Sequence, residues 1–212
     1  MRNESLADKV FAKLESDILE GKYKKGDVLT EIGLSNAFEV SRTPIREAIR
    51  RLEQENLVTE TGKGITILGI SKKDLSDIYD IRMRIEGLAC HWAAKNITQA
   101  DLDELGEILD LQEFYSSKQK TNNLKNTDSS FHDVIYRACD SAPLMDILAP
   151  LHKKIQMQRK SSLENAERAH EAVKEHREIY NALLAHDADL AEKLMIKHLS
   201  NAKENLFKIS SI

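Results

Sequence analysis

Asp128, His132, His176 and His198 are residue types that ligate metals or move protons, and their spacing directs them toward one place. Asp128 and His132 are four positions apart, one helical turn, and therefore share a face. His132 lies among Phe131, Ile135 and Cys139, His176 among Ala172, Val173, Ile179 and Leu183, and His198 among Ala191, Leu194 and Ala202, so helical periodicity points each imidazole inward. If the chain reverses near His186 and Asp187, His176 and His198 each sit roughly 15 to 17 Å from the turn at 1.5 Å per residue, which puts both at one level. Three imidazoles and a carboxylate suit a divalent transition metal, zinc or nickel foremost, with positions left for water or a ligand. The same residues also allow a core of satisfied histidines with Asp128 neutralised by charged neighbours, or a metal-dependent hydrolase in which they activate water. His91, His152, His170 and His186 are read as ordinary residues.

Arg82 falls on an inward stripe with Ile78, Ile85 and Ala89. A guanidinium there has two readings: an anchor for the carboxylate of a small organic acid, which its fork of N–H donors fits, or an ion pair with Glu86 one turn on.

A second chemistry is carried by residues 41–51, Ser-Arg-Thr-Pro-Ile-Arg-Glu-Ala-Ile-Arg-Arg. Thr43 is expected to cap a helix with Pro44 in its first position. Ile45, Ala48, Ile49 and Leu52 would face a core, and Arg46 and Arg50 would share another flank. Guanidinium is suited both to bidentate contact with guanine edges and to bridging phosphate, so this is the pattern of a helix that reads DNA. The bland alternative is a solvated face with Glu47 and Arg51 paired one turn apart.

The elements that must position these groups follow from periodicity and breakers. Leu6, Val10, Leu14, Ile18 and Leu19 predict a helix ending near Gly21, and a short helix is expected from about Thr30 to Phe38. The arginine-rich helix should end at Asn56. Residues 57–60 and 65–68 then read as strands around Thr61-Gly62-Lys63-Gly64, a hairpin with glycine where positive φ is needed. The fold class is mainly α: a winged helix-turn-helix over residues 1–70, followed by an all-α antiparallel bundle over 71–212. Its helices are expected at 71–94, 98–117, 123–139, 143–160, 166–185 and 187–208, with a break at Ser161 and Ser162.

The formal net charge of -4 over 212 residues argues against nonspecific coating of nucleic acid. Between residues 41 and 51, however, four arginines stand against one glutamate, a local excess of three positive charges. That is what steering and phosphate contact require. Cys90 and Cys139 each fall in an apolar helical face and read as core thiols of a reducing compartment. With no leader-like N-terminal stretch and no run long enough to span a bilayer, the expected location is the cytoplasm, without membrane partners.

Val40 to Glu53, Asn56-Leu-Val58, Asp80 to Gly87, Asp128 to His132, Glu175 to Ile179 and His198 together resemble bacterial GntR-type transcription regulators of the FadR branch, those with an FCD ligand-binding domain. The resemblance spans essentially the whole chain. It implies that Arg42, Thr43 and Arg46 contact DNA at the start of the recognition helix and that Gly62 and Lys63 of the wing approach the minor groove; Arg50 matches no base-reading position and is expected to serve phosphate only. It implies metal ligation by Asp128, His132, His176 and His198, and effector binding by Arg82. The function expected is that of a ligand-responsive regulator and repressor, a homodimer on a palindromic double-stranded operator, released by a small carboxylic acid. Two positions depart from the family. Ile32 and Gly33 stand where relatives often carry an arginine, and Glu39 replaces the usual glycine of the inter-helix turn, at a cost of about 1 kcal/mol if it is left-handed.

Overall fold

The structure is a computed structural model that describes residues 5–163 and 165–209, with the side chains of 153, 156–163 and 209 left out. It divides into two compact units, the first reaching Asp74 and the second starting at Leu75.

In the first unit, α1 (Leu6–Leu19) opens on a reciprocal cap: Ser5 Oγ accepts from the Asp8 N–H while the Asp8 carboxylate accepts from the Ser5 N–H. Val10, Phe11, Leu14 and Ile18 recur at helical spacing and are buried. After Gly21 the chain forms β1 (Val28–Leu29) and then α2 (Glu31–Phe38), whose cap Thr30 accepts from the Gly33 N–H at 3.1 Å. Glu39 turns the chain with φ 54° and ψ 38°, so the non-glycine residue does occupy the left-handed region. Helix α3 (Arg42–Gln54) follows, and Asn56 ends it at φ 56°.

The cap of α3 is Ser41 rather than Thr43, and no side-chain hydrogen bond closes it. The reason lies in Pro44. It occupies the third helical position, not the first, and lacks the N–H that a serine at Ser41's place would accept from. Because the first four helical N–H groups have no intrahelical partner, proline there still removes no bond of the helix.

Strands β2 (Val58–Thr61) and β3 (Gly64–Ile67) form the expected hairpin, shifted by one residue at each strand, with Thr61 opposite Gly64. Strand β1 was not anticipated. It adds to the other edge of β3, so the sheet runs β1-β3-β2, all antiparallel. Two residues carry too little pattern to announce a strand. Gly64 explains the tight fit: at φ 128°, a Cβ there would lie 2.6 Å from the Leu29 carbonyl oxygen.

Among the described residues the second unit is built of six helices, the first of which starts just ahead of it: α4 (Lys72–Asn96), α5 (Gln99–Ser117), α6 (Thr121–Ala138), α7 (Ala142–Leu163), α8 (Ala166–Leu184) and α9 (Ala188–Ile209). Ala89, Cys90, Leu105, Leu109, Phe131, Ile135, Leu183 and Met195 lie in one continuous core. Gln119, Asp140 and His186 reverse the chain in left-handed conformations. Helix α7 runs through Ser161 and Ser162, where a break was expected. The stronger signal is Asn165, whose Oδ1 accepts from the Glu167 and Arg168 N–H groups and starts α8. Among the described residues, no helix is long and apolar enough to cross a membrane.

Candidate nucleic-acid interface and buried histidine centre

In the first unit, α3 buries Ile45, Ala48, Ile49 and Leu52 and turns Arg42, Thr43, Arg46 and Arg50 to the surface. Gly62 and Lys63 are exposed at the tip of the β2–β3 hairpin. The positive φ of that hairpin belongs to Gly64, not to Gly62. The arginines are not equivalent. Arg46 Nε donates to Glu31 Oε1 at 2.8 Å, and this hydrogen bond holds the Glu31 carboxyl below its ordinary range. Arg51 donates to Asp8 at 2.8 Å, and its guanidinium lies 3.8 Å over the Phe11 ring. It therefore ties α3 to α1 instead of pairing with Glu47 along the helix.

The second unit brings the predicted histidines together. His132 from α6, His176 from α8 and His198 from α9 are buried, and one ring nitrogen of each lies within 4.8 Å of the others. Asp128, also buried, has Oδ1 at 3.8 Å from His176 Nε2. Phe131 stacks on His176 with ring centroids 4.2 Å apart.

The groups behind the imidazoles decide what they offer. Gln112 of α5 donates its amide N–H to the Thr127 carbonyl at 3.0 Å, which orients Oε1 toward His176 Nδ1 at 2.8 Å. His198 Nδ1 stands 2.7 Å from Glu175 Oε2. An acceptor at Nδ1 requires the proton there, so in the neutral rings that metal ligation requires, both Nε2 atoms carry lone pairs. These two lone-pair atoms face each other at 3.4 Å. Two acceptors in a dry interior repel unless a cation lies between them. Two nitrogens bound at about 2.05 Å to a tetrahedral ion would be about 3.3 Å apart, so the donor set fits a divalent metal.

Glu175 is itself tightly held. Arg168 donates to both of its oxygens, at 3.0 and 2.8 Å, and Asn201 donates at 2.7 Å. Burial pushes its carboxyl up, but the hydrogen bonds from His198 and Arg168 and the Arg168 charge hold it well below the ordinary carboxylate range.

Arg82 is fully buried, and its Nε donates to Glu86 Oε1, so the paired reading holds. The pairing uses only one edge of the fork. Neither Nη1 nor Nη2 has a hydrogen-bond partner among the described residues. Burial opposes the charge, and the Glu86 carboxylate more than compensates, raising the guanidinium pKa further. Glu86 Oε2 in turn lies 3.2 Å from His132 Nδ1, which joins the arginine to the histidine cluster.

Several members of this centre escaped the sequence reading. His152, taken as ordinary, is buried, meets the Tyr136 hydroxyl at 3.1 Å and lies 5.6 Å from the His132 ring. Gln112 sits on an apolar stripe, and a polar residue on such a stripe was the available signal; Glu86 was expected as a partner of Arg82 but not as a neighbour of His132. Glu175 was visible only as the neighbour of His176.

Comparison with known proteins accounts for both units. The family model described as "Bacterial regulatory proteins, gntR family" matches residues 6–67, and the FCD domain matches residues 77–201. The chain belongs to the GntR family and carries an FCD domain. It is 29% identical over 202 residues to the uncharacterized HTH-type transcriptional regulator YdhC of Bacillus subtilis, covering 92% of this chain and 88% of that one. It is 25% identical over 204 residues to the gluconate operon transcriptional repressor of Bacillus licheniformis, covering 92% and 82%. The solved structure of E. coli McbR/YncC shares the fold with a TM-score of 0.79 at 23% identity, over 97% of this chain and 99% of that chain. This GntR-family protein is thus a transcription regulator, and since its relatives are regulators and not enzymes, the hydrolase alternative is set aside.

Proposed function

We propose that this regulator is a repressor that works as a homodimer on a palindromic operator and lets go when a small carboxylic acid binds inside its FCD bundle. Arg42, Thr43 and Arg46 contact base edges and nearby phosphates, Arg50 contacts phosphate, and Gly62 and Lys63 approach the minor groove. His132, His176, His198 and Asp128 hold a divalent transition ion, zinc or nickel. When bound, such an ion supplies an electrophilic centre for an oxygen of the effector.

The observation that carries the sensing half is the approach of His176 Nε2 to His198 Nε2 at 3.4 Å in a centre whose flanking arginine has Nη1 and Nη2 without a partner among the described residues. Both are arranged to receive charge from outside the chain, the first a cation and the second a carboxylate. That one relative is named for repression of a gluconate operon agrees with an organic-acid effector.

The test is retardation of the chain's own promoter fragment in a gel, with and without a panel of organic acids. Wild-type protein is expected to retard the fragment and to release it with at least one acid, whereas the Arg42→Ala/Arg46→Ala double variant fails to retard it. Release that is unchanged in metal-stripped protein or in Arg82→Ala would sink the sensing mechanism. Undiminished retardation by the double variant would sink the DNA assignment.

A further inference from the structure

We infer that the buried site accepts an acid with a single carboxylate and rejects its dicarboxylate counterpart. The inference rests on the reading of the bundle as an organic-acid sensor and specifies the charge of the acid.

The described charged groups that are buried or nearly so in the second unit leave one cationic edge open. Arg168 is spent on Glu175, with two N–H donors on two carboxylate oxygens. Arg82 is half spent on Glu86 through Nε, and its Nη1 and Nη2 are open. Two parallel N–H bonds are what one carboxylate takes from one guanidinium. A second carboxylate on the same ligand finds no second fork among these groups, and the nearby groups include anions: Glu86 lies against His132, and Asp128 lies 3.8 Å from His176.

Charge balance leads to the same result. Arg82 and Arg168 stand against Glu86, Asp128 and Glu175, a net single negative charge when the three imidazoles are neutral, as metal ligation requires. A divalent ion reverses this to a single positive charge. One carboxylate brings the site to neutrality, and a second leaves a negative charge that the described buried groups do not compensate.

The test is thermal shift of the full-length, metal-loaded protein with matched acids differing by one terminal group: gluconate against glucarate, and lactate against tartronate, within a monoacid series spanning glycolate to gluconate. At least one monoacid is expected to raise Tm, and its diacid partner to bind more weakly by about a hundredfold, the size of an uncompensated buried charge. Stabilisation by a diacid equal to or greater than that by its monoacid would overturn the inference while leaving the sensor reading intact. A response to neither class would remove the sensor reading and this inference with it. The Glu86→Gln variant supplies a second measurement: removing that carboxylate should narrow the gap within a pair, and an unchanged gap would count against the charge argument. The wild-type comparison stands even if that variant fails to fold.

Discussion

Glu31 Oε1 accepts from Arg46 Nε at 2.8 Å, linking the first turn of α2 to the recognition helix that follows it. The guanidinium is exposed and the carboxylate half-buried, so the contact matters less for stability than for where the guanidinium points. With Nε engaged, the Nη groups are presented in a fixed plane. If Arg46 reads a base pair as proposed, replacing Glu31 with alanine is expected to reduce discrimination at that base pair by about tenfold, within the range of a bidentate base contact. Nonspecific affinity should rise, because a negative charge leaves the surface. Competition between native and base-substituted operators checks this, and equal discrimination by both proteins would remove the positioning role.

The lone pairs of His176 and His198 make a claim on composition. Elemental analysis of protein purified without chelator should find about one equivalent of transition metal per chain, and His176→Ala should lose most of it. Gln112→Leu keeps every ligand but deletes the acceptor at His176 Nδ1, and its metal affinity should fall by about 10- to 100-fold. Chelation should lower Tm, since an ion that binds only the folded state stabilises it by mass action. Metal-free protein with an unaltered Tm and an unaltered effector response would refute the centre.

Glu39 is the position where a single change should help. Its left-handed backbone costs about 1 to 2 kcal/mol for a residue with a Cβ. Glycine removes that strain but loses more entropy on folding, so Glu39→Gly should stabilise by about 0.5 to 1 kcal/mol. Chemical denaturation monitored by helix content measures it, and a destabilised variant would show that the glutamate side chain has another task.

Asp17 gives a pH signature for the first unit. Burial pushes its carboxyl up, but Lys13 at 2.5 Å and Lys22 hold it below the ordinary carboxylate range. A depressed folded pKa contributes stability that is fully present above the ordinary value of 3.8 and is lost as pH falls through the lower folded value. Asp17→Asn should therefore be less stable than wild type at neutral pH, by about 1 kcal/mol or less because both lysines are largely exposed. The deficit should shrink as pH drops below about 4, where the carboxylate is progressively lost in wild type too. A deficit independent of pH would mean that the loss is steric.

The thiols should be inert. Cys90 is wholly buried among Ala89, Ala93 and other core residues, and burial pushes its pKa well up, with Cys139 shifted the same way. Folded protein should resist a thiol-reactive probe at pH 8, and both cysteines should react in denaturant. Rapid labelling of native protein would show that this core opens.

The helices and the hairpin were legible because their signals repeat: Ile45, Ala48, Ile49 and Leu52 mark one face over several turns, and Gly62 to Gly64 interrupt two short apolar runs. The histidine trio was legible for the same reason, since each member interrupts an apolar stripe. What was not legible lacks a period. Strand β1 has two residues, the capping role of Ser41 depends on where Pro44 falls in the turn, and His152 belongs to the cluster only through the path of α7. Arg51 looked like a partner for Glu47 four positions on, and its turn toward Asp8 is set by how α1 and α3 pack. The open edge of Arg82 could not be read at all, because Nε and Nη contacts are decided by a rotamer.

The unforeseen pairing of β1 with β3 has a further consequence. It stitches the segment just ahead of α2 to the inner strand of the wing, so the helices and the hairpin tip share one frame. A head braced in this way is a poor candidate for internal reshaping. For the proposed acid-responsive dimer, the expected consequence is that the acid leaves the preferred letters of each half-site the same while the tolerated spacing between half-sites changes.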